Sequence, residues 1–231
     1  MEIQILEFVS GAQEAEGTTV IIDVFRAFSV ACYAYDSGAA SIIATGDPSE
    51  AFRLKQVYRN SVLAGERNER KIEGFDFGNS PTEILQTDLS GKTFIHTTTA
   101  GTSGLVSASK AGEVITGSFV NASAVARYIL QQRPERVSLV AMGYRAEIPA
   151  EEDLLCAGYI KSVLTGDPYG DIDERIKDLR HSSGRRFFSP ANIEFSPPSD
   201  FFLCTMRDRF NFVLKGIRRP DGNVFLERTG I

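Results

Sequence analysis

From residue 18 to residue 165 the chain keeps one rhythm, a short apolar burst followed by a stretch with helical spacing. "TTVIIDVF" reads as a buried strand, and "RAFSVACYAYDSG" as a helix stopped at Gly38. "SIIAT" is a second strand. "DPSEAFRLKQVYRN" follows it as a helix, with Asp47 as N-cap, Pro48 in the first turn and Glu50 three residues after the cap. "SVLAG" is a third strand. "KTFIHTTT", "EVITG" and "RVSLVAM" are three more, each followed by a helical pattern: "AGTSGLVSASKAG", "VNASAVARYILQQR" and "PAEEDLLCAGYIKSVLTG". Such alternation predicts an α/β fold, a mostly parallel sheet flanked by helices in α/β/α layers.

The rhythm changes near residue 168. "DIDERIKDLRHSSG" reads as a solvent-facing helix, and "SDFFLCTMRD" fits no single pattern. "FNFVLKGIRRPDGNVFLERTG" predicts a C-terminal β-hairpin around a Pro-Asp-Gly-Asn turn. That hairpin either extends the sheet or reaches a second copy of the chain, which would make a homodimer. No low-complexity linker divides the 231 residues, so residues 1–231 are expected to form a single α/β unit, with room for two closely packed lobes.

Charge and cysteine usage exclude several classes. With 25 bases against 30 acids there is no basic excess for nucleic acid, and an anionic substrate has to be held by a local cluster of bases. Cys32, Cys156 and Cys204 are odd in number and lack a C-x-x-C pair, which argues against a disulfide framework or a zinc site and suits a reducing cytoplasm. The opening "MEIQILEFVSGAQEAEG" carries acids where a signal peptide carries bases, and no apolar run is long enough to span a membrane. The expectation is a cytoplasmic protein with no membrane partner.

In open α/β sheets, ligands bind beyond the carboxyl ends of the strands. Those ends carry Asp23 and Arg26; Glu66 and Arg67; Thr97, Thr98, Thr99, Gly101 and Thr102; Ser118 and Asn121; and Arg145, Glu151, Glu152 and Asp153. Each has a plain structural reading. Asp23 can cap the next helix, Glu152 and Asp153 can favour a helix dipole, Arg26 can lie on the surface, and the threonines suit a strand. His96 reads as packed in its strand and His181 as exposed, so neither a histidine metal site nor a His-based nucleophile is supported. Taken together, oxygen ligands without His or Cys suit a hard cation such as Mg²⁺, and arginines suit two-pronged binding of anions. Helix starts after "TTTAGT" and "GSFVN" offer free backbone N–H groups. P-loop, dinucleotide-binding and serine-hydrolase signatures are absent.

One stretch breaks the rhythm. "GERNERKIEGFDFGNSPTE", Gly65 to Glu83, holds five acids, three bases, three glycines and a proline with no hydrophobic period. It is either a linker or a place that gathers a metal and an anion, where Glu66 and Asp76 would reach the metal and Arg67 and Lys71 the anion.

"IDVFRAFSV", "LAGERNERKIEGFDFGNSPTE", "TTTAGT", "GSFVNASAVA" and "EEDLLCAG" together resemble the ComB family of 2-phosphosulfolactate phosphatases, in order from about residue 20 to about residue 160. The tail after residue 165 matches loosely. The resemblance implies a Mg²⁺-dependent phosphatase with a small, anionic, phosphorylated substrate. In this family 2-phosphosulfolactate is converted to 3-sulfolactate on the path to coenzyme M. Carried over by position, Asp23, Arg26, Glu66, Arg67, Asp76 and Arg145 are the implied catalytic residues. Asn79, Ser80, Thr98, Thr99, Gly101, Thr102, Ser118 and Asn121 are the implied substrate-binding residues. Asp23, Glu66, Asp76, Glu152 and Asp153 are the implied metal ligands, with Asp23 open between ligand and nucleophile. Two motifs depart from the family pattern. Ala100 stands where the family has Asn, and "GYRA" stands for Gly-Thr-Arg-Gly, with Tyr144 and Ala146. They motivate two alternatives: a phosphatase of another phosphorylated hydroxy acid, and a non-catalytic homologue that binds metal and anion.

Overall fold

A computed structural model of the protein describes residues 1–230. The expected rhythm is present in β2 (Thr18–Ile22), α2 (Ala27–Asp36), β3 (Ser41–Ala44), α3 (Pro48–Val57) and β4 (Ser61–Arg67). It resumes in α4 (Pro81–Leu85), β6 (Thr93–Thr97), α5 (Gly101–Ser107), β7 (Glu113–Gly117), α6 (Ala122–Gln132), β8 (Arg136–Ala141) and α7 (Glu151–Thr165). Asp47 caps α3 through Ser49 N at 2.9 Å, but Glu50 closes no capping box. Its carboxylate instead receives the Arg53 guanidinium and Asn223. α7 stops at Gly166, whose left-handed φ of 77° needs no side chain.

Three elements lay outside the sequence reading. The N-terminal stretch forms an edge strand, β1 (Glu2–Glu7), and a short helix, α1 (Phe8–Glu14). β1 pairs with β8 in parallel from Glu2↔Arg136 to Glu7↔Ala141 and stays partly exposed, which dilutes the signal of an edge strand. A two-residue strand, β5 (Arg70–Lys71), turns back on β4. In the tail, α8 (Ile172–Asp178) leads through 3₁₀ turns to α9 (Pro198–Thr205), so "SDFFLCTMRD" is largely helical.

The hairpin β9 (Phe212–Arg218) and β10 (Val224–Gly230) lies in the middle of the sheet. The strand order is β1-β8-β2-β7-β9-β10-β3-β6-β4-β5. β9 pairs with β7 and β10 with β3, both antiparallel, so both outer edges of the hairpin are used inside the chain. Three successive antiparallel steps leave the block β3-β6-β4 running opposite to the block β1-β8-β2-β7 along the ladder. The mostly parallel sheet of the sequence reading is present, built as two parallel blocks joined by the hairpin.

Period-two alternation then sorts the side chains. Ile21 of β2 faces the central core, shared with Ile42 and Ala44 of β3, Phe94 of β6, Ala64 of β4 and the buried face of α2. Val20 and Ile22 face a second core under α6 and α7. Ile43, Leu63 and Ile95 face a small third core under α3. Both blocks pack on the central core, and loops that follow their strands meet: Gly101, after β6, lies against Asp23, after β2.

Candidate active site

Asp23 follows β2 directly and is 6% exposed. Its Oδ1 accepts Ala27 N at 3.0 Å, so the helix-cap reading holds for that oxygen. Gly101, at the start of α5 in the other block, lies against it. A Cβ there would come within 2.7 Å of Asp23 Oδ2 and 2.7 Å of Ala27 Cβ, so the close approach requires glycine. Burial raises the Asp23 carboxyl to about 6; the Ala27 amide opposes this, and the negative charges of Glu66 and Glu152 add to it.

The polar stretch from Gly65 supplies a second wall. Glu66, at the end of β4, accepts Thr99 N at 2.7 Å, Thr99 Oγ1 at 3.2 Å and Glu69 N at 2.8 Å. Asn68 and Glu69 form the two-residue turn between β4 and β5, both left-handed, with φ of 53° and 68°. Asn-Gly is the favoured pair in such a turn, and a glutamate there costs roughly 1 kcal/mol. The chain then runs back along β4 through Phe77 N to Leu63 O and Gly65 N to Phe77 O, and delivers Asn79. Glu66, Glu69 and Asn79 line one cleft with Asp23, Phe25, Arg26, Thr99 and Ala100. The stretch is a wall of this cleft.

Gly143, Tyr144 and Arg145, after β8, form the third wall. Asp153, near the start of α7, clamps this loop to the one after β2. Its Oδ1 accepts Val24 N at 2.8 Å and its Oδ2 accepts Gly143 N at 2.9 Å. Burial, then Glu152 and Asp23, push its carboxyl well above the usual range. Glu152 is buried, raised by desolvation against the pull of Arg186, and its Oε2 has no hydrogen-bond partner among the described residues.

The tail contributes two residues that the sequence reading missed. Arg186, in the 3₁₀ turn Ser183–Phe188, lines the cleft and pairs with Glu69 Oε1 at 3.1 Å. Asp200 of α9 is fully buried and takes Arg26 Nη1 at 2.6 Å, Ser80 Oγ at 2.8 Å and Thr82 N at 3.0 Å. Nη1 is also the nitrogen of Arg26 that meets Phe195 O, so its other nitrogens make no bond to protein among the described residues. An acid inside an ambiguous aromatic run was the only trace of Asp200 in the sequence.

Other residues implied by the resemblance stand outside the cleft walls. Asp76 is exposed and binds Lys55 Nζ at 2.5 Å and Leu63 N at 2.7 Å. Arg67 spends its guanidinium on Glu66 O, Gly46 O and Thr97 Oγ1. Thr98 and Thr102 bond each other, and Ser118 and Asn121 form a capping box, so these amides are not the free donors expected at helix starts. Ser80 caps α4. His96 is buried against Asn79 Oδ1 at 3.1 Å and held neutral, its pKa lowered to about 3 by desolvation.

Among the described residues no three of His, Cys, Asp and Glu form a ready-made metal cage. Mg²⁺ does not require one, because it keeps several waters and takes one or two carboxylates with substrate phosphate oxygens. The donors fit it in kind: they are oxygens only, Asp23 is pushed up by burial and then by neighbouring carboxylates, and Glu152 Oε2 has no partner among the described residues.

The fold and site define an α/β protein with a carboxylate–arginine cleft built from both sheet blocks. A family model described as 2-phosphosulpholactate phosphatase matches residues 4–214, which includes Arg186 and Asp200. The chain is 31% identical over 207 residues to a Bacillus subtilis protein named "Probable 2-phosphosulfolactate phosphatase", covering 89% of this chain and 88% of that protein. A Thermotoga petrophila protein of the same name is 37% identical over 208 residues, or 85% of this chain and 87% of that one. A Caldicellulosiruptor saccharolyticus protein, also so named, is 42% identical over 144 residues, but the match spans only 61% of this chain and 59% of the relative. The chain belongs to the 2-phosphosulfolactate phosphatase family. Among the described residues no helix is long and apolar enough to cross a membrane.

Proposed function

We propose that the protein is a Mg²⁺-dependent phosphoric monoester hydrolase that converts 2-phosphosulfolactate to 3-sulfolactate and phosphate in the cytoplasm. Membership of the family supports the reaction class. The single observation that carries the site assignment is the cleft in which Asp23, pushed up by burial and then by Glu66 and Glu152, lies with Arg26, Arg145 and Arg186. Asp23 and Glu152 would hold the metal, with Glu66 beside them. Bound there, Mg²⁺ would neutralise phosphate oxygens and lower the pKa of a bound water. Arg26, anchored through one nitrogen, offers the remainder of its fork to the phosphate. Hydrolysis adds water to phosphorus as the bond to the substrate's C2 oxygen breaks and that oxygen gains a proton. Positioned charge supplies the rate, since the uncatalysed reaction is very slow.

The test is phosphate release from 2-phosphosulfolactate with Mg²⁺ and after EDTA treatment. Turnover with Mg²⁺ that EDTA abolishes is expected. Full activity in metal-free buffer removes the metal from the proposal, and no release from any phosphorylated hydroxy acid removes the hydrolase. A second reading keeps the chemistry and changes the acid. Ala100 and Tyr144, two of the departures from the family pattern, both line the cleft. Faster release from 2-phosphomalate, the carboxylate analogue, would select it.

A further inference from the structure

Glu69 is an unusual wall for a site that receives an anion. Its carboxylate lies in the cleft, where Arg186 Nη1 meets Oε1 at 3.1 Å and the Tyr144 hydroxyl donates to Oε2 at 3.2 Å. It gets there from a left-handed position of a two-residue turn that favours glycine. Strain of this kind persists only where the surroundings hold it. Here they do, because Glu69 N is bonded to Glu66.

Arg186 is arranged as a receptor. Its Nη2 donates to Phe25 O at 3.0 Å, which fixes the fork. The rings of Tyr144, Phe187 and Phe25 surround the guanidinium at 5.1, 5.3 and 5.9 Å, holding it without consuming donors. Its Nε is buried and has no partner among the described residues. A buried donor left unpaired is costly, which marks the guanidinium as only partly satisfied by the protein.

We propose that Arg186 and the Tyr144 hydroxyl form the subsite that reads the acid group of the substrate, and that the Glu69 carboxylate occupies this subsite in the resting protein. The proposal rests on the reading of the cleft as the site of an anionic phosphorylated substrate. A carboxylate or sulfonate displaces Glu69 and takes over its bonds to Nη1 and Tyr144. Glu69 then acts as an internal competitor. Only an acid that binds better than a tethered carboxylate enters, which disfavours phosphate esters with no second acid.

The experiment measures binding of 3-sulfolactate, which has the acid groups and no phosphate, by calorimetry without turnover. Malate serves as the carboxylate probe. Arg186→Met keeps an apolar stem among the rings and should weaken 3-sulfolactate by at least about tenfold, with Arg186→Lys intermediate because it keeps charge and loses the fork. Glu69→Gln should tighten it by at least about threefold, since the competitor loses its charge. In turnover, Arg186→Met should lower the ratio of kcat/KM for 2-phosphosulfolactate over phenyl phosphate by about tenfold or more. Circular dichroism checks that each variant is folded, and Arg186→Lys carries the test if Arg186→Met is not. Parent-like binding by the Arg186 variants, or no binding by the parent, overturns the subsite. Weaker binding by Glu69→Gln overturns the competitor. A protein that binds 3-sulfolactate as described but releases no phosphate loses the hydrolase reading and keeps this one.

Discussion

On one side of the central hairpin, β2, β7 and β8 are packed between the shared core and a large second core under α6 and α7. On the other side, β3, β6 and β4 have only six buried residues behind them, under the single helix α3. The site takes different things from the two blocks. The deeply packed block supplies Asp23 and Glu152, charges that are expensive to bury, and the clamp Asp153. The thinner block supplies Glu66, Glu69, Asn79 and Thr99, held chiefly by hydrogen bonds along a folded-back loop. The difference teaches where strain can be stored. A rigid, doubly buried wall can hold a desolvated carboxylate against repulsion, while a thin wall suits groups that exchange partners with a ligand.

The sharpest way to break this contrast is Asp23→Asn. If the deep block holds the chemistry, turnover should fall at least about a thousandfold, since a metal-side carboxylate is lost. The fold should persist, because Asn can still accept from Ala27 N. Activity near that of the parent would reduce Asp23 to a cap.

The same variant isolates a pH effect in metal-free protein. The folded carboxyl of Asp23 titrates near 6 against 3.8 unfolded. The native state therefore binds the extra proton between these values. Its contribution is fully present below about pH 4 and is lost as pH rises to about 6, on the order of 2–3 kcal/mol. Urea unfolding should show Asp23→Asn gaining on the parent across that window and level above it, with Mg²⁺ closing the gap. A gap independent of pH would place Asp23 in a solvated setting.

Asp153→Asn tests the clamp. It leaves one of the amides of Val24 and Gly143 without its acceptor, so unfolding stability should drop by about 1–3 kcal/mol. Unchanged stability would show that the two loops hold without it.

Gly101→Ala joins the two blocks in one experiment. The added methyl meets Asp23 Oδ2 and Ala27 Cβ, both at 2.7 Å, so kcat/KM should fall at least about tenfold (~1.4 kcal/mol), with a loss of about 1–3 kcal/mol in stability from overpacking. A parent-like rate would mean that the thin block yields instead.

The smallest effect should come from Asp76→Asn, on the outside of the thin block. Its partners are a half-exposed lysine and one backbone amide, so we expect less than about 1 kcal/mol in stability and a rate within about twofold. A large loss of activity would return Asp76 to the site.

Local rules explain what the sequence determined on its own. Hydrophobic periodicity located most of the strands and helices from residue 18 onward, because strand and helix periods are properties of neighbouring residues. Turn chemistry placed the Pro-Asp-Gly-Asn hairpin, and an acid directly after a buried apolar run singled out Asp23. The motifs of the long polar stretch pointed to the family. Tertiary structure alone decided the rest. Nothing local distinguishes a hairpin at a sheet edge from one inserted between β7 and β3, since the choice depends on which distant strands compete for its edges. Asp76 and Glu69 are both acids in one polar stretch, and only the fold-back of Phe77 onto β4 sends one outward and the other into the cleft. Arg186 and Asp200 lie in a segment without periodicity, Arg186 163 residues after Asp23 and Asp200 174 residues after Arg26. Their roles come from burial and from the partners that burial brings, and neither exists until the chain has closed.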